Sequence, residues 1–166
     1  MSKNVIEFLE QSNWIEGVYD LEALEQAVEA WKYLVKQKEL TAGVILKTHK
    51  ILMLKEPLLP NERGYFRKVQ VMVGGKEKMR WESGPLAIDE LCDRIKHISD
   101  FPYKKKDLEE MSKSLHIQYE NIHPFVDGNG RTGRMFMNWW RLQRDLPILV
   151  IKESEKQDYY KWFSST

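Results

Sequence analysis

The segment from His123 to Arg134 constrains the fold and the chemistry of this chain more than any other. It reads His-Pro-Phe-Val-Asp-Gly-Asn-Gly-Arg-Thr-Gly-Arg. Gly128-Asn129-Gly130 predicts a tight loop, because glycine and asparagine tolerate positive φ at little cost. The residues that follow predict a helix, so the loop should direct the backbone N–H groups of a helix N-terminus at one point. Such a point favours anions, and phosphates above all.

The side chains around this loop are those that phosphate chemistry uses. Arg131 and Arg134 lie one helical turn apart and carry planar guanidinium groups that match phosphate oxygens. Asp127 is a hard oxygen ligand, and Mg²⁺ is usually held by one or two carboxylates plus substrate phosphates. His123 has an ordinary pKa near ~6.5, which suits a proton acceptor. Each residue alone is common in turns and on solvated helix faces, but their order predicts a base, a metal ligand, an anion site and two cations.

The segment resembles the signature of the Fic family, His-x-Phe-x-Asp/Glu-Gly-Asn-Gly-Arg-x-x-Arg, at every defined position. Fic-family enzymes are mostly adenylyltransferases that move AMP from ATP to a Ser, Thr or Tyr hydroxyl of a protein. The resemblance implies that His123 accepts the hydroxyl proton and that Asp127 holds Mg²⁺. It also implies a set of residues that bind the phosphates of ATP: Gly128, Asn129 (with its side chain), Gly130, Arg131 and Arg134.

Hydrophobic periodicity predicts a mainly α-helical single domain over residues 1–166, with one β interruption. The predicted helices cover about Val5–Ser12, Asp20–Val35, Thr41–Leu54, Pro85–Ile98, Asp107–Asn121, the segment after the signature loop, and Lys152–Phe163. Leu86 is expected to face inward from the fourth of these. Alternation around Gly74-Gly75 predicts a β-hairpin over residues 68–81. The resemblance implies the same architecture, a helical bundle whose central helix–loop–helix carries the signature beside a hairpin flap.

The hairpin allows two interpretations. It is either surface decoration or, as the resemblance implies, a flap that binds the target segment by main-chain pairing, a form of β-augmentation. In the second case Val69, Val71 and Val73 are expected to dock the target. Gly64-Tyr65-Phe66-Arg67 also resembles the Gly-x-Tyr/Phe-Arg that leads into the flap in many members. A structural salt bridge is the alternative role for Arg67.

The segment Ser12-Asn13-Trp14-Ile15-Glu16-Gly17 matches the family's inhibitory motif, Ser/Thr-x-x-x-Glu-Gly/Asn. A glycine-capped helix end with a solvated glutamate is the alternative. The resemblance implies that residues 1–18 form an inhibitory helix in which Glu16 pairs with Arg134 and withholds it from the γ-phosphate, so that ATP binds in an unproductive pose. In some relatives the corresponding glutamate also helps a water molecule to remove AMP from the target.

Other features bear on the purine, the partners and the location. Tyr159 and Tyr160 resemble a pair that lies near the adenine in relatives, although packing of a terminal helix is equally expected of them. Members often form dimers, so a homodimer is expected. The chain has 26 basic and 25 acidic residues, which argues against nucleic acid or an anionic membrane surface as a partner.

Cys92 is the single cysteine, which excludes an intrachain disulfide and a cysteine-based metal site. The sequence has no membrane-length apolar run and no signal-peptide core, so we expect a cytoplasmic protein. His49, His97 and His116 lie on predicted helices without a ligand cluster, and none is expected to bind a metal.

Two alternative functions stay open. Some Fic-fold proteins use another donor, such as UTP or a CDP-alcohol, or transfer a phosphate. The phosphate-transferring relatives replace the Gly-Asn-Gly loop, which this chain keeps, so AMP transfer from ATP is favoured. The second alternative is a nucleotide-sensing interaction module that Glu16 keeps silent. The presence of His123 argues against it, because a pure binder needs no base.

Overall fold

The protein is mainly helical, as predicted. The computed structural model describes residues 1–98 and 101–164. The helices are α1 (Lys3–Ile15), α2 (Leu21–Leu34), α3 (Ala42–Leu52), α4 (Gly84–His97), α5 (Lys105–Ile122), α6 (Asn129–Gln143) and α7 (Lys156–Tyr160). The antiparallel strands β1 (Met72–Val73) and β2 (Lys76–Glu77) form the small hairpin. Within these described ranges, no helix is both long enough and apolar enough to cross a bilayer.

Local sequence signals explain how the first long helices begin. Asp20 caps α2 by accepting a hydrogen bond from the Ala23 N–H at 2.8 Å. Thr41 caps α3 in the same way, with the Val44 N–H at 3.2 Å from its hydroxyl oxygen. Each bond satisfies a backbone donor that has no partner inside the helix. The two helices then pack against each other through their apolar faces.

Helix α6 lies at the centre of the fold and is buried along most of its length. It packs along α5, and Gly133 permits the close approach, since a Cβ there would lie 2.8 Å from Tyr119 Cδ1. Buried charges require partners. Three buried arginines of α6 each pair with a glutamate from another part of the chain: Arg131 with Glu56, Arg134 with Glu16, and Arg141 with Glu109.

Several predicted boundaries were wrong. Helix α1 continues to Ile15 instead of ending near Ser12. The predicted last helix is broken into a 3₁₀ turn at Glu153–Glu155, the short α7, and a second 3₁₀ turn at Lys161–Phe163. The Glu155 carboxylate accepts a bond from the Lys152 N–H at 3.2 Å, which closes the first of these turns.

Two further expectations differ from the structure. Leu86 is 65% exposed, because it lies about 200° around α4 from the buried Ile88. The hairpin was predicted over residues 68–81, but its regular pairing covers only two residues in each strand. The β-hairpin itself is present where it was predicted.

Candidate active site

The signature forms a loop between α5 and α6 that leads directly into the N-terminus of α6. His123 caps α5 in the left-handed conformation, with φ of 51°. Gly128 also has positive φ, 84°, and a Cβ there would lie 2.8 Å from Met53 Sδ, so only glycine fits. The first intrahelical bond of α6 is made by the Thr132 N–H to the Gly128 oxygen at 3.0 Å. The N–H groups of the three residues before Thr132 therefore have no acceptor within the helix.

The Asn129 side chain braces this loop. Its Oδ1 accepts a bond from the Phe125 N–H at 2.8 Å, and its Nδ2 donates to the Phe125 oxygen at 2.9 Å. Phe125 is fully buried, as expected of a residue that anchors the loop. The expectation that the Asn129 side chain contacts phosphate does not fit this arrangement, because both of its polar atoms already bond to the backbone. The backbone N–H of Asn129 still lies in the first turn of α6, where the N–H groups have no acceptor within the helix.

His49 is a loop-positioning residue that the sequence analysis missed. Its ring stacks on Phe125, with centroids 3.6 Å apart and planes inclined by 6°. Its Nε2 donates to the Asp127 oxygen at 2.8 Å, and its Nδ1 accepts from the Gly64 N–H at 2.9 Å. Burial lowers the pKa of His49 to about 4, so the ring is neutral at pH 7. The only sequence signal was its helical spacing from the apolar Ile45 and Leu52.

Replacing His49 with alanine should destabilise the fold. The change removes the stacking on Phe125 and leaves the part-buried Asp127 carbonyl and Gly64 N–H without these hydrogen bonds. We expect a loss of about 3 kcal/mol, or roughly 10 °C in the melting temperature. Thermal unfolding followed by circular dichroism measures it, with His97→Ala as the control because His97 is exposed on α4. An equal melting temperature for His49→Ala and wild type would contradict the role.

Arg67 ties the hairpin to the signature loop. Its side chain is 4% exposed and donates to carbonyl oxygens on both sides. Nε lies 2.7 Å from the His123 oxygen, Nη1 2.8 Å from the Val69 oxygen, and Nη2 2.5 Å from the Met79 oxygen. Burial lowers the pKa of Arg67, and Glu82 counteracts this from a distance. These carbonyl bonds, rather than the salt bridge considered above, define its role.

A cavity of about 660 Å³ lies between the hairpin, the end of α5, the start of α6 and the C-terminal segment. The structure brings several of the predicted site residues to its wall: Glu16, Val73, His123, Gly130, Arg134, Tyr159 and Tyr160. Lys78 and Glu120, which the sequence analysis did not select, also line it. Asp127 and Arg131 lie outside this wall. The Arg131 Nη1 is instead 2.8 Å from Glu56 Oε1 and only 3% of its side chain is exposed, so phosphate binding by Arg131 stays a prediction.

Arg134 is held by the segment that was predicted to be inhibitory. Its Nη2 donates to Glu16 Oε1 at 2.6 Å and to the Ser12 carbonyl at 3.0 Å, while its Nε donates to Ser12 Oγ at 2.8 Å. The Ser12 carbonyl lies in the last turn of α1. Carbonyl oxygens there have no N–H donor within the helix, and they favour a nearby cation. Gly17 follows with φ of 72°, and its N–H donates to the Trp14 oxygen at 2.9 Å.

The Glu16 carboxylate lies directly over the N-terminal turn of α6. A Cβ placed on Gly130 would be 2.3 Å from Glu16 Oε1 and 2.9 Å from Arg134 Nη1. A side chain at this position would displace the Glu16–Arg134 pair, so the glycine leaves room for it. Glu16 contributes a negative charge at the end of a helix that favours anions. The carboxylate thus stands where a phosphate would otherwise be expected.

Tyr159 orients Arg134 from the opposite side. Arg134 Nη1 donates to the Tyr159 hydroxyl oxygen at 3.1 Å, and that hydroxyl lies 2.6 Å from His116 Nε2. Burial lowers the pKa of His116 to about 3, so its ring is neutral and Nε2 accepts a hydrogen bond from the Tyr159 hydroxyl. Burial lowers the pKa of Arg134, but Tyr159 and Glu16 outweigh it and the net shift is upward. Tyr160 is 42% exposed and lines the cavity.

The electrostatic environment keeps His123 neutral. Burial is the main cause that lowers its pKa to about 4, followed by the charges of Lys78 and Arg67, while the Glu120 backbone and Glu16 oppose them. Its Nδ1 is buried without a hydrogen-bond partner. The ring is therefore unprotonated at pH 7 and can accept a proton.

Asp127 fits a magnesium site that depends on substrate phosphates. Its side chain is 61% exposed, and its Oδ2 lies 3.8 Å from Arg131 Nη2. The Oδ1 atom accepts a hydrogen bond from the Gly128 N–H at 2.7 Å, which fixes the carboxylate beside the first turn of α6. Among the residues that the structure describes, no three His, Cys, Asp or Glu side chains form a metal-binding group. A Mg²⁺ ion at Asp127 would take its other ligands from water and the nucleotide, as is usual for this ion.

These features define a helical domain built around a helix N-terminus whose first N–H groups have no acceptor within the helix, with a histidine at its entrance and a glutamate on its second arginine. Residues 39–140 match the model of the Fic/DOC family, and the chain belongs to this family.

Relatives agree with this assignment. The chain is 34% identical over 137 residues to the protein adenylyltransferase Fic of Drosophila grimshawi, with 76% of this chain and 25% of that protein covered. It is similarly 34% identical to the protein of the same name from Drosophila virilis, over 76% of this chain and 25% of that protein. The chain thus spans about a quarter of the length of the curated relatives it matches.

Solved structures share the fold. A Fic domain containing signaling protein from Bacteroides thetaiotaomicron superposes with a TM-score of 0.82 at 21% identity, covering 96% of this chain and 70% of that one. Fic-1 from C. elegans superposes with a TM-score of 0.76 at 19% identity, covering 97% of this chain and 55% of that one. These similarities support the fold assignment.

Proposed function

We propose that this chain is a protein adenylyltransferase that transfers AMP from ATP to a hydroxyl side chain of a target protein, and that Glu16 inhibits it in cis. The observation that carries the proposal is the position of the Glu16 carboxylate, 2.6 Å from Arg134 and over the N-terminal turn of α6. The curated relatives named protein adenylyltransferase supply the reaction class.

In the proposed reaction, His123 Nε2 takes the proton of the target hydroxyl as its oxygen attacks the α-phosphorus of ATP. The bond from the α-phosphorus to the bridging oxygen breaks, and pyrophosphate leaves. The N–H groups of the first turn of α6 stabilise the negative charge of the phosphates. Arg134 holds the γ-phosphate. Mg²⁺, where bound at Asp127, would neutralise phosphate charge. Most of the catalysis is positioning and electrostatic stabilisation, as in phosphoryl transfer generally.

Inhibition follows from competition for the same cation and the same space. The γ-phosphate cannot bind Arg134 while Glu16 does, and the carboxylate repels the triphosphate. ATP then binds with its α-phosphorus displaced from the line of attack. A displacement of about 1 Å can lower a rate ~100-fold, because the reacting atoms no longer meet in line.

The hairpin is proposed to bind the target segment. Val73 lines the cavity, and Val69 and Val73 are exposed. A short hairpin leaves backbone groups available for pairing with an extended segment. Because Arg67 bonds to the carbonyls of both Val69 and His123, a segment paired with the hairpin would be placed in a fixed relation to the base.

The adenine is proposed to lie at the tyrosine end of the cavity. Tyr159 is 3% exposed and its hydroxyl is bonded to Arg134 and His116, so it supports the phosphate end. Tyr160 presents the more accessible ring of the two and is the better candidate for contact with the base.

Label transfer tests the proposed activity and its alternatives. Wild type and Glu16→Gly are incubated with Mg²⁺ and either [α-³²P]ATP or [α-³²P]UTP. We expect protein-bound label from ATP in Glu16→Gly and weak label in wild type. Label from UTP but not from ATP would show that UTP is the donor. Binding of ATP without transfer of label from either nucleotide would favour the silent interaction module. Faster loss of label from pre-modified protein with wild type than with Glu16→Gly would add an AMP-removing role for Glu16.

A further inference from the structure

Glu120 is a cavity-lining carboxyl group that the reaction described above does not use. It lies on α5, one turn before His123, and lines the same cavity as Glu16 and Arg134. Its Oε1 is buried and has no hydrogen-bond partner. That atom faces α6, since a Cβ on Gly133 would lie 3.1 Å from it. A carboxylate with an unpartnered, desolvated oxygen is costly when ionised.

Charged groups face Glu120 from each neighbouring element. Arg134 on α6 and Lys78 on the hairpin favour the ionised carboxylate, while Glu16 at the end of α1 opposes it. The hydroxyls of Tyr159 and Tyr160 on the C-terminal segment also interact with it.

The two histidines on or next to its own helix, His116 and His123, are neutral at pH 7. Burial outweighs the two cations and raises the pKa of Glu120 to about 7.

We propose that Glu120 binds the nucleotide as a neutral carboxyl group, donating a hydrogen bond to a phosphate oxygen of the bound nucleoside triphosphate. This inference rests on the proposed function, in which the cavity holds ATP. A triphosphate brings several negative charges to the cavity wall, and an ionised carboxylate there would repel it. A protonated carboxyl instead offers an O–H donor. Where Glu120 is ionised in the free protein, ATP binding therefore draws one proton from solvent onto its carboxylate.

Proton uptake on binding tests this inference. A non-hydrolysable α,β-methylene analogue of ATP is titrated into the Glu16→Gly protein at pH 7, by calorimetry in buffers of different ionisation enthalpy. Because the Glu16→Gly change removes a charge that raises the Glu120 pKa, more than half of Glu120 is ionised beforehand, and we expect an uptake of more than about half a proton per nucleotide from this group. Raising the pH from 6.5 to 8.5 should raise the Kd by about 20-fold or more, because more of the carboxyl must be reprotonated.

The Glu120→Gln change, made in the Glu16→Gly protein, shows how much of the proton uptake comes from Glu120. Glutamine matches the shape and the neutral charge of the protonated side chain and keeps a hydrogen-bond donor. We expect it to bind the analogue at pH 7 within a few-fold of the parent, without the proton uptake that Glu120 contributes. Titration of the nucleotide's own phosphate is common to both proteins and cancels in the difference. Glu110→Gln, the same chemical change at an exposed position of α5, should retain the uptake.

The outcomes separate this inference from the function on which it rests. Binding of the analogue with the same proton uptake in the parent and in Glu120→Gln overturns the role of Glu120 and leaves the adenylyltransferase proposal intact. Binding with no uptake in either protein does the same. Failure of the Glu16→Gly protein to bind the nucleotide at all overturns both.

Discussion

Replacing Glu16 with glycine is expected to raise the rate of AMP transfer about 100-fold, seen most directly as self-labelling. The change removes the carboxylate that lies 2.6 Å from Arg134 and over Gly130. Arg134 can then bind the γ-phosphate, and the triphosphate can bring its α-phosphorus into line with the attacking hydroxyl. The size of the effect is that of a misplaced reactive group, about 100-fold per ångström. Initial rates of label incorporation from [α-³²P]ATP measure it.

Two matched variants show whether charge or contact causes the inhibition. Glu16→Gln keeps an oxygen that can accept a bond from Arg134 but removes the negative charge, so we expect partial release, about 10-fold. Glu10→Gln makes the same change on α1 away from Arg134 and should leave the rate at the wild-type level. Equal rates for wild type and Glu16→Gly, with ATP bound to both, would refute cis inhibition by Glu16.

The sequence predicts the parts of this site that depend on neighbouring residues. The loop and helix after His123 follow from local glycine and asparagine preferences, and the structure has them where expected. The positions of Gly17 and Asp20 likewise follow from local rules for helix ends and caps. The pairing of Arg134 with Glu16 joins residues that are 118 positions apart. No periodicity of the sequence indicates that contact. It was expected only because the Ser12–Gly17 segment resembles the family's inhibitory motif.

The parts that could not be predicted arise from packing between distant segments. His49 contacts Asp127 across 78 positions, and Glu56 contacts Arg131 across 75. A buried histidine and a loop glutamate have no local pattern that marks these partners. The family resemblance implied that the Asn129 side chain contacts phosphate, yet the loop uses it to hold the backbone of Phe125. Glu120 appears in the sequence as one more glutamate of an amphipathic helix, and only the fold places it on the cavity wall.

Removing the base should have the largest effect on the reaction. In the Glu16→Gly background, His123→Ala is expected to lower AMP transfer ~100- to 10,000-fold, the range for loss of a general base. His123 is suited to the role because its lowered pKa, about 4, leaves it unprotonated at pH 7. Its contribution is to the transfer step, so binding of ATP should persist. Label incorporation and calorimetry on the same protein measure the two quantities separately.

The conformation of His123 calls for a second variant. The residue has φ of 51°, a left-handed conformation that alanine tolerates less well than asparagine. His123→Asn should therefore keep the loop in place while removing the proton acceptor, and its rate should fall as far as that of His123→Ala. His97→Ala, at an exposed position on α4, controls for loss of an imidazole and should retain full activity. Transfer within about 10-fold of the parent in His123→Asn would show that another group accepts the proton, because a lost general base costs at least ~100-fold. Loss in His123→Ala alone would trace the effect to the loop conformation.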